Sequence, residues 1–373
     1  VDVLHTARSM VLVVCALGVG CGRFGFSEPT DAQAGDGSSE DWWDRGFSRR
    51  NRIDVLGTKL LVGETDFPLL VHLAAGFDRT MLKANGGDLR FVAADQVTQL
   101  PYEIESISAT SVDVWVGIPE IRGRVVDEVI WAYYGNPSAQ PTLTNEMVWS
   151  ASFVGVWHLG ADSRDSTSHH LDGAYTGTAM VPGVAANARD IQGGYVAIPS
   201  APALLAIGAN GTATWSAWMK PHSNPLPSFS MTVIGRQTDG GGLDDFRLGT
   251  FNGGADGQIC IDPGQVDVPI GGGPVSVLER WQLLALVRDG GALRMTVNGV
   301  TVNATTRDGT IHPSTNRVLI GVDCNACATP TDDPVDGVID EARIESVARP
   351  DHWLVAEALN VNGDLVVVQP FEP

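Results

Sequence analysis

Three groups of side chains have the types and spacing for chemistry. In Asp340-Glu341-Ala342-Arg343-Ile344-Glu345, alternate residues Glu341, Arg343 and Glu345 share one face of a strand, with the arginine between two carboxylates. Such an arginine favours the ionised carboxylate, the wrong direction for a general acid, so a structural ion pair is the reading. Tyr102-Glu103-Ile104-Glu105 also puts two carboxylates on one face. Glycoside hydrolysis needs its pair across a cleft, with one pKa raised, and nothing in the sequence argues for a cleft. His158, His169 and His170 invite zinc, which wants three or four convergent ligands; neighbours such as His169 and His170 face opposite ways on an extended strand. Zinc is therefore not expected, and no catalytic residue is assigned. Asp88 and Arg90 sit two apart on a strand entry, where an ion pair with each other or with Glu103 or Glu105 would be structural.

The start of the chain bears on location. Arg8 precedes an apolar run from Met10 to Val19, too short to span a bilayer as a stable helix, so it reads as the apolar part of a secretion signal. Leu17-Gly18-Val19-Gly20-Cys21-Gly22 resembles a bacterial lipoprotein signal. That resemblance implies a signal over 1–21 and Cys21 as the lipid-modified residue; an ordinary secretion signal is the alternative. Residues 22–41 are rich in Gly, Ser, Ala, Asp and Glu, a flexible tether. The expected location is the bacterial cell envelope, outer membrane or cell surface, with membrane contact through the lipid anchor alone.

Charge narrows the partners. Lys plus Arg number 24 against 44 Asp plus Glu, a net charge of −20. That surface repels phosphates and anionic membranes, and only Arg49-Arg50-Asn51-Arg52 interrupts it, so nucleic acid is excluded as a partner. After export the cysteines of the body, Cys260, Cys324 and Cys327, would be in an oxidising compartment. Cys324-Asn325-Ala326-Cys327 has redox spacing but no thioredoxin-like surroundings. A structural disulfide is expected, either within that motif or from Cys260 to one of its members.

The elements that position these residues are strands. There are 43 glycines and 21 prolines and no long helical periodicity, which predicts an all-β chain. The length suits two domains with separate cores. The first is placed at 42–140. Phe67, Leu69, Val71 and Leu73 share one face; Val112, Val114 and Val116 share another, with Trp115 opposite. A tryptophan on the second face predicts two packed sheets or an interdomain contact. Asp78 to Ala84 is a candidate short helix. Residues 50–54, Gly87-Asp88-Leu89-Arg90-Phe91, Val114-Trp115-Val116 and Tyr133-Tyr134-Gly135-Asn136-Pro137 resemble a bacterial extracellular domain of unknown function often fused ahead of a laminin-G-like jelly roll.

The second domain is placed at 150–350, with a tail at 351–373 whose Leu365 to Val368 could add an edge strand. In 212–220, Thr214, Ser216 and Trp218 alternate with Trp215, Ala217 and Met219. Asn298-Gly299 between alternating runs is a strong hairpin signal, so 281–304 should be a three-stranded meander. Val156-Trp157-His158-Leu159, Trp215-Ser216-Ala217-Trp218, Val297-Asn298-Gly299 and residues 337–344 resemble the laminin-G-like, concanavalin-like jelly roll of secreted bacterial proteins. The fold expected is thus a β-sandwich-like module followed by that jelly roll.

The resemblance implies a structural calcium near the sandwich rim, on Asp165 and Asp340, with Asp162 a weaker ligand. The alternative is that Asp165 with Ser166 and Thr167 forms a side-chain-capped turn and that Asp340 accepts backbone hydrogen bonds. Variable loops at 237–245, 253–258 and 323–336 carry acids but few aromatics beyond Phe246 and Phe251. The leading expectation is a non-catalytic envelope lipoprotein whose jelly roll binds a glycan or a protein. A divergent glycoside hydrolase or polysaccharide lyase, and an adhesion scaffold, are the alternatives.

Overall fold

The computed structural model describes residues 42–124, 126–142, 145–224, 229–239, 242–273, 276–324 and 330–373. Cys21 and Cys327 lie outside them. Strands dominate, as expected. The first module is a sandwich of two sheets. One runs Val366–Glu372, Arg49–Val55, Glu128–Tyr134, Arg90–Ala93, Gln99–Leu100; the other runs Glu64–Leu73, Val112–Ile121, Tyr102–Ile107. Phe67, Leu69, Val71, Val112, Val114 and Val116 fill the space between them, the faces that alternation marked. Asp78 to Ala84 yields only a single turn of 3-10 helix at Arg79–Met81.

The jelly roll is two eight-stranded sheets packed face to face. Gln282–Asp289, Ala292–Val297 and Val300–Thr306 form the antiparallel meander read from 281–304. Asn298 and Gly299 turn it with φ of 51° and 76°. A side chain at Gly299 would run into the backbone at Leu354 and Val355, so the turn needs glycine for space as well as conformation. Trp215, Ala217 and Met219 enter the core between the sheets, while Trp218 points the other way.

That other way is not solvent. Trp218, Leu283, Ala285 and Val287, from the outer face of the jelly roll, join one cluster with Phe67, Trp115, Trp149 and Trp353. Residues 42–373 therefore make one compact unit whose modules share a core, where sequence length suggested separate ones. Two elements of the tail create the fusion. Helix Asp351–Val361 buries Trp353, Leu354 and Ala358 in the shared cluster. Its Asn360 side chain donates to Pro68 O and accepts from Leu70 N, at 3.0 Å each, standing in for a neighbouring strand along the edge strand Glu64–Leu73. The Val366–Glu372 strand then pairs with Arg49–Val55, so the last strand of the chain completes the first module's sheet.

A shared core predicts shared unfolding. Trp353→Ala removes a fully packed indole and should cost about 3–5 kcal/mol. Calorimetry of that variant and the parent should each show one cooperative transition; two resolved transitions would mean that the modules are energetically independent.

Candidate functional site

Where the modules meet, four strands converge on His158. The Phe153–Trp157 strand ends one residue before it, and Leu159 follows at φ 57°. Glu103 and Glu105 arrive on Tyr102–Ile107, whose pairing with Val112–Ile121 slips between Ile104 and Ser106, so Glu105 is the bulged residue. Glu341 and Arg343 arrive on Gly337–Glu345, whose register against Thr212–Pro221 slips between Ser216 and Trp218, opposite Glu341 and Ala342. Glu341 itself has φ 49°. A bulge redirects the side chain it carries, and positive φ is strained for a residue with a long side chain. Both glutamates are turned onto His158 in this way.

His158 Nδ1 lies 2.6 Å from Glu341 Oε1, and its Nε2 lies 3.5 Å from Glu103 Oε2. Trp115 stacks on the imidazole at 5.8 Å between ring centres, and Trp149 leans on it at 5.6 Å. The indole N–H groups are used too. Trp115 Nε1 donates to Glu105 Oε2 and Trp149 Nε1 to Glu103 Oε2, each at 2.7 Å. Arg343 donates to Glu341 and to Glu357 of the terminal helix, both at 2.9 Å, beneath the faces of Trp115 and Trp149. Glu345 pairs instead with Arg349. Burial alone would raise Glu341, but His158 and Arg343 outweigh it and hold the carboxyl below its usual range. Burial likewise opposes charge on His158, and Glu341 with Glu103 pushes its pKa well up. Burial, reinforced by the Glu341 charge, lifts Glu105 to about 8.

A cleft of about 630 Å³ opens over this group, contrary to the sequence reading. Glu103, Glu105 and His158 line it with Ser166, Asp162 and Asn187 among others, and among the described residues no Phe, Tyr or Trp does. Ser166 donates to Glu103 Oε1 at 2.7 Å. Glu103 and Glu105 come from one strand, two residues apart, and each is held by an indole N–H.

The other sequence candidates fall elsewhere. Asp165 accepts from the N–H groups of Val156, Thr167 and Leu171 and from the Thr167 hydroxyl, two donors on each oxygen. Its acceptor positions are full, so it does not fit a calcium ion; the side-chain-capped turn is what forms. Asp340 accepts from the N–H groups of Val184, Ala185 and Glu341. Asp162 is exposed at the mouth of the cleft. His170 lies at the cleft wall, 3.6 Å from Glu146. Asp88 accepts three backbone N–H groups and Arg90 donates to three backbone carbonyls, so each braces backbone. Cys260 is a buried free thiol on Gly254–Asp262, and Cys324 is buried beside Leu319 and Val322.

Acids expected on variable loops are mostly buried on strands. Asp244, Asp245 and Asp256 sit on Asp244–Phe251 and Gly254–Asp262, and Phe246 stacks on Trp215 in the core. Asp245 pairs with Arg236 and Asp256 with Arg247. Burial, then the charge of Asp323, raises Asp244 to about 7. The folded state thus holds a proton that the unfolded chain releases near pH 4. Stability from this group is present below that pH and declines as pH rises towards 7, by at most about 1.4 kcal/mol per pH unit. Asp244→Asn should flatten that part of the denaturation profile; an unchanged slope would show that Asp244 is ionised in the fold.

Comparison with known proteins follows the same division. Residues 190–354 match the concanavalin A-like lectin/glucanases superfamily, and residues 85–153 match a domain of unknown function, DUF2341. No curated protein matches the chain. Similar solved structures include the binding domain of Paraclostridial Mosquitocidal Protein 1, at 11% identity over 56% of this chain and 52% of that one, TM-score 0.45. Another is domain 4 of AbnA, a GH43 extracellular arabinanase from Geobacillus stearothermophilus, at 18% identity over 56% and 98%, TM-score 0.40. A third is the receptor binding domain of a botulinum neurotoxin C/D mosaic serotype, at 12% over 56% and 51%, TM-score 0.45. The chain spans about half the length of the first and third of these. The chain carries a concanavalin A-like, laminin-G-type jelly roll, preceded by a β-rich module containing the domain of unknown function.

Proposed function

We propose that this protein is a non-catalytic cell-envelope lipoprotein, anchored through Cys21, that binds a glycan in the cleft between its modules. The observation that carries the binding reading is the cleft itself. At about 630 Å³ it has the size of a small-ligand site, and its wall is mixed: acids, amides, serines, histidines and Arg164 stand beside Ile104, Ile107 and alanines. Hydroxyl groups of a sugar can donate to Glu103 and Asp162 and exchange hydrogen bonds with Asn187. The acidic wall and the net charge of −20 select neutral or cationic sugars over uronic or sulfated ones. The lack of an aromatic platform points to affinity through hydrogen bonds rather than ring stacking.

Binding rather than turnover is supported by how the acids are held. Glu103 is engaged by Trp149, Ser166 and His158, and Glu341 by His158 and Arg343. Neither is left to carry a proton to and from a substrate.

A glycan array probed with the soluble body, followed by titration of the best ligand, tests this. Asp162→Ala with Asn187→Ala should weaken binding by about tenfold or more while leaving the fold intact. Binding that survives both changes, or binding confined to acidic glycans, would place the ligand elsewhere. Mass measurement of the mature N-terminus tests the lipid on Cys21; an unmodified cysteine there would remove the anchor.

A further inference from the structure

We infer that Glu105, His158 and Glu341 form a binding site for one divalent transition-metal ion at the floor of the cleft. The inference does not depend on a glycan being the ligand. One ligand atom from each of the three residues lies within 4.8 Å of the others. A tetrahedral ion about 2.1 Å from its ligands needs separations of about 3.4 Å, within reach of a carboxylate torsion.

Three features distinguish this group from a chance gathering of acids. First, Glu105 Oε1 is buried and has no hydrogen-bond partner, while its Oε2 is taken by Trp115. A buried carboxylate oxygen left unpaired is costly, and a cation would satisfy it. Second, each ligand has its own orienting partner, the arrangement that metal sites require. Trp115 holds Glu105, Arg343 holds the far oxygen of Glu341, and Glu103 faces the far nitrogen of His158. That leaves Nδ1 of His158 and Oε1 of Glu341 facing each other at 2.6 Å, the gap an ion would enter in place of a proton. Third, Glu103 and Glu341 face His158 from its two ring nitrogens, so the imidazole already sits between carboxylate oxygens.

The donor set selects the metal. One imidazole nitrogen with two carboxylate oxygens suits zinc and its first-row neighbours, whereas calcium takes six to eight oxygens. Three protein ligands leave a coordination position, and because Glu105 and His158 line the cleft that position faces it. A hydroxyl or carbonyl of a bound molecule could occupy it.

The test uses the tag-free, metal-stripped protein and zinc chloride alone, by calorimetry in two buffers of different ionisation enthalpy. One equivalent should bind at micromolar affinity or tighter. The heat should depend on the buffer, because the ion displaces a proton from the His158–Glu341 pair. Glu105→Gln should weaken binding by about tenfold or more, and Glu120→Gln, exposed on the Val112–Ile121 strand, should leave it unchanged. Near-UV circular dichroism shows whether each variant is folded. Absence of zinc binding by the folded parent, or equal binding by folded Glu105→Gln, overturns the assignment. Because the parent titration needs no substitution, a variant that fails to fold leaves the test intact.

Discussion

The structure depends on the burial of one guanidinium. Arg343 lies on the central strand of the jelly roll's outer face, almost wholly removed from water. An arginine cannot shed its charge, so burial is tolerable only with anions and π faces around it. Those come from three places: Glu341 on its own strand, Glu357 on the terminal helix, and Trp115 and Trp149 from before the jelly roll. The charge thereby makes docking of the first module and of the tail part of the folding of the jelly roll. A hydrophobic residue there would permit the same packing without requiring it, which is the specificity argument for buried ion pairs.

The same constraint shapes the site. Glu341 must face Arg343 on one side and His158 on the other, and its positive φ at a bulge is the backbone's way of meeting both. Such a conformation costs about 1–3 kcal/mol and persists only where the surroundings over-determine it. Here they do, since the strand is buried along its whole length and paired on both sides. Glu105 shows the complementary case. Its bulge lies on a strand at the edge of its sheet, beside the cleft, and one oxygen is left without a partner. No neighbouring side chain or backbone group takes that oxygen, so a ligand for it is the economical explanation.

Legibility in the sequence followed the range of the interactions. The meander at 281–304 and the two faces of 212–220 were readable because period-two alternation and Asn298-Gly299 are local signals. The capped turn at Asp165 was readable as the alternative to calcium for the same reason, its donors lying within nine residues. The cleft was not, because His158 meets Glu103 across 55 positions and Glu341 across 183. Trp115 on the second face of its strand is the one hint, and it leaves two packed sheets and an interdomain contact as alternatives. The terminal helix was missed although Trp353, Leu354, Ala358 and Val361 follow helical spacing, since buried Glu357 interrupts the apolar stripe. That glutamate makes sense only once Arg343 is in view. Nor could any local pattern pair Val366–Glu372 with Arg49–Val55 at the far end of the body.

These long-range pairings also build the floor of the cleft. Its floor is the seam between modules, and Glu103 and Glu341 there already serve the seam. A bound sugar or a resident cation asks only for fixed acceptors, and fixed acceptors are what the seam supplies: Glu103 and Glu105 are oriented by indole N–H groups that have no other partner. The interaction that joins the modules thus fixes the cleft's floor during folding, so a molecule bound there would not have to order it.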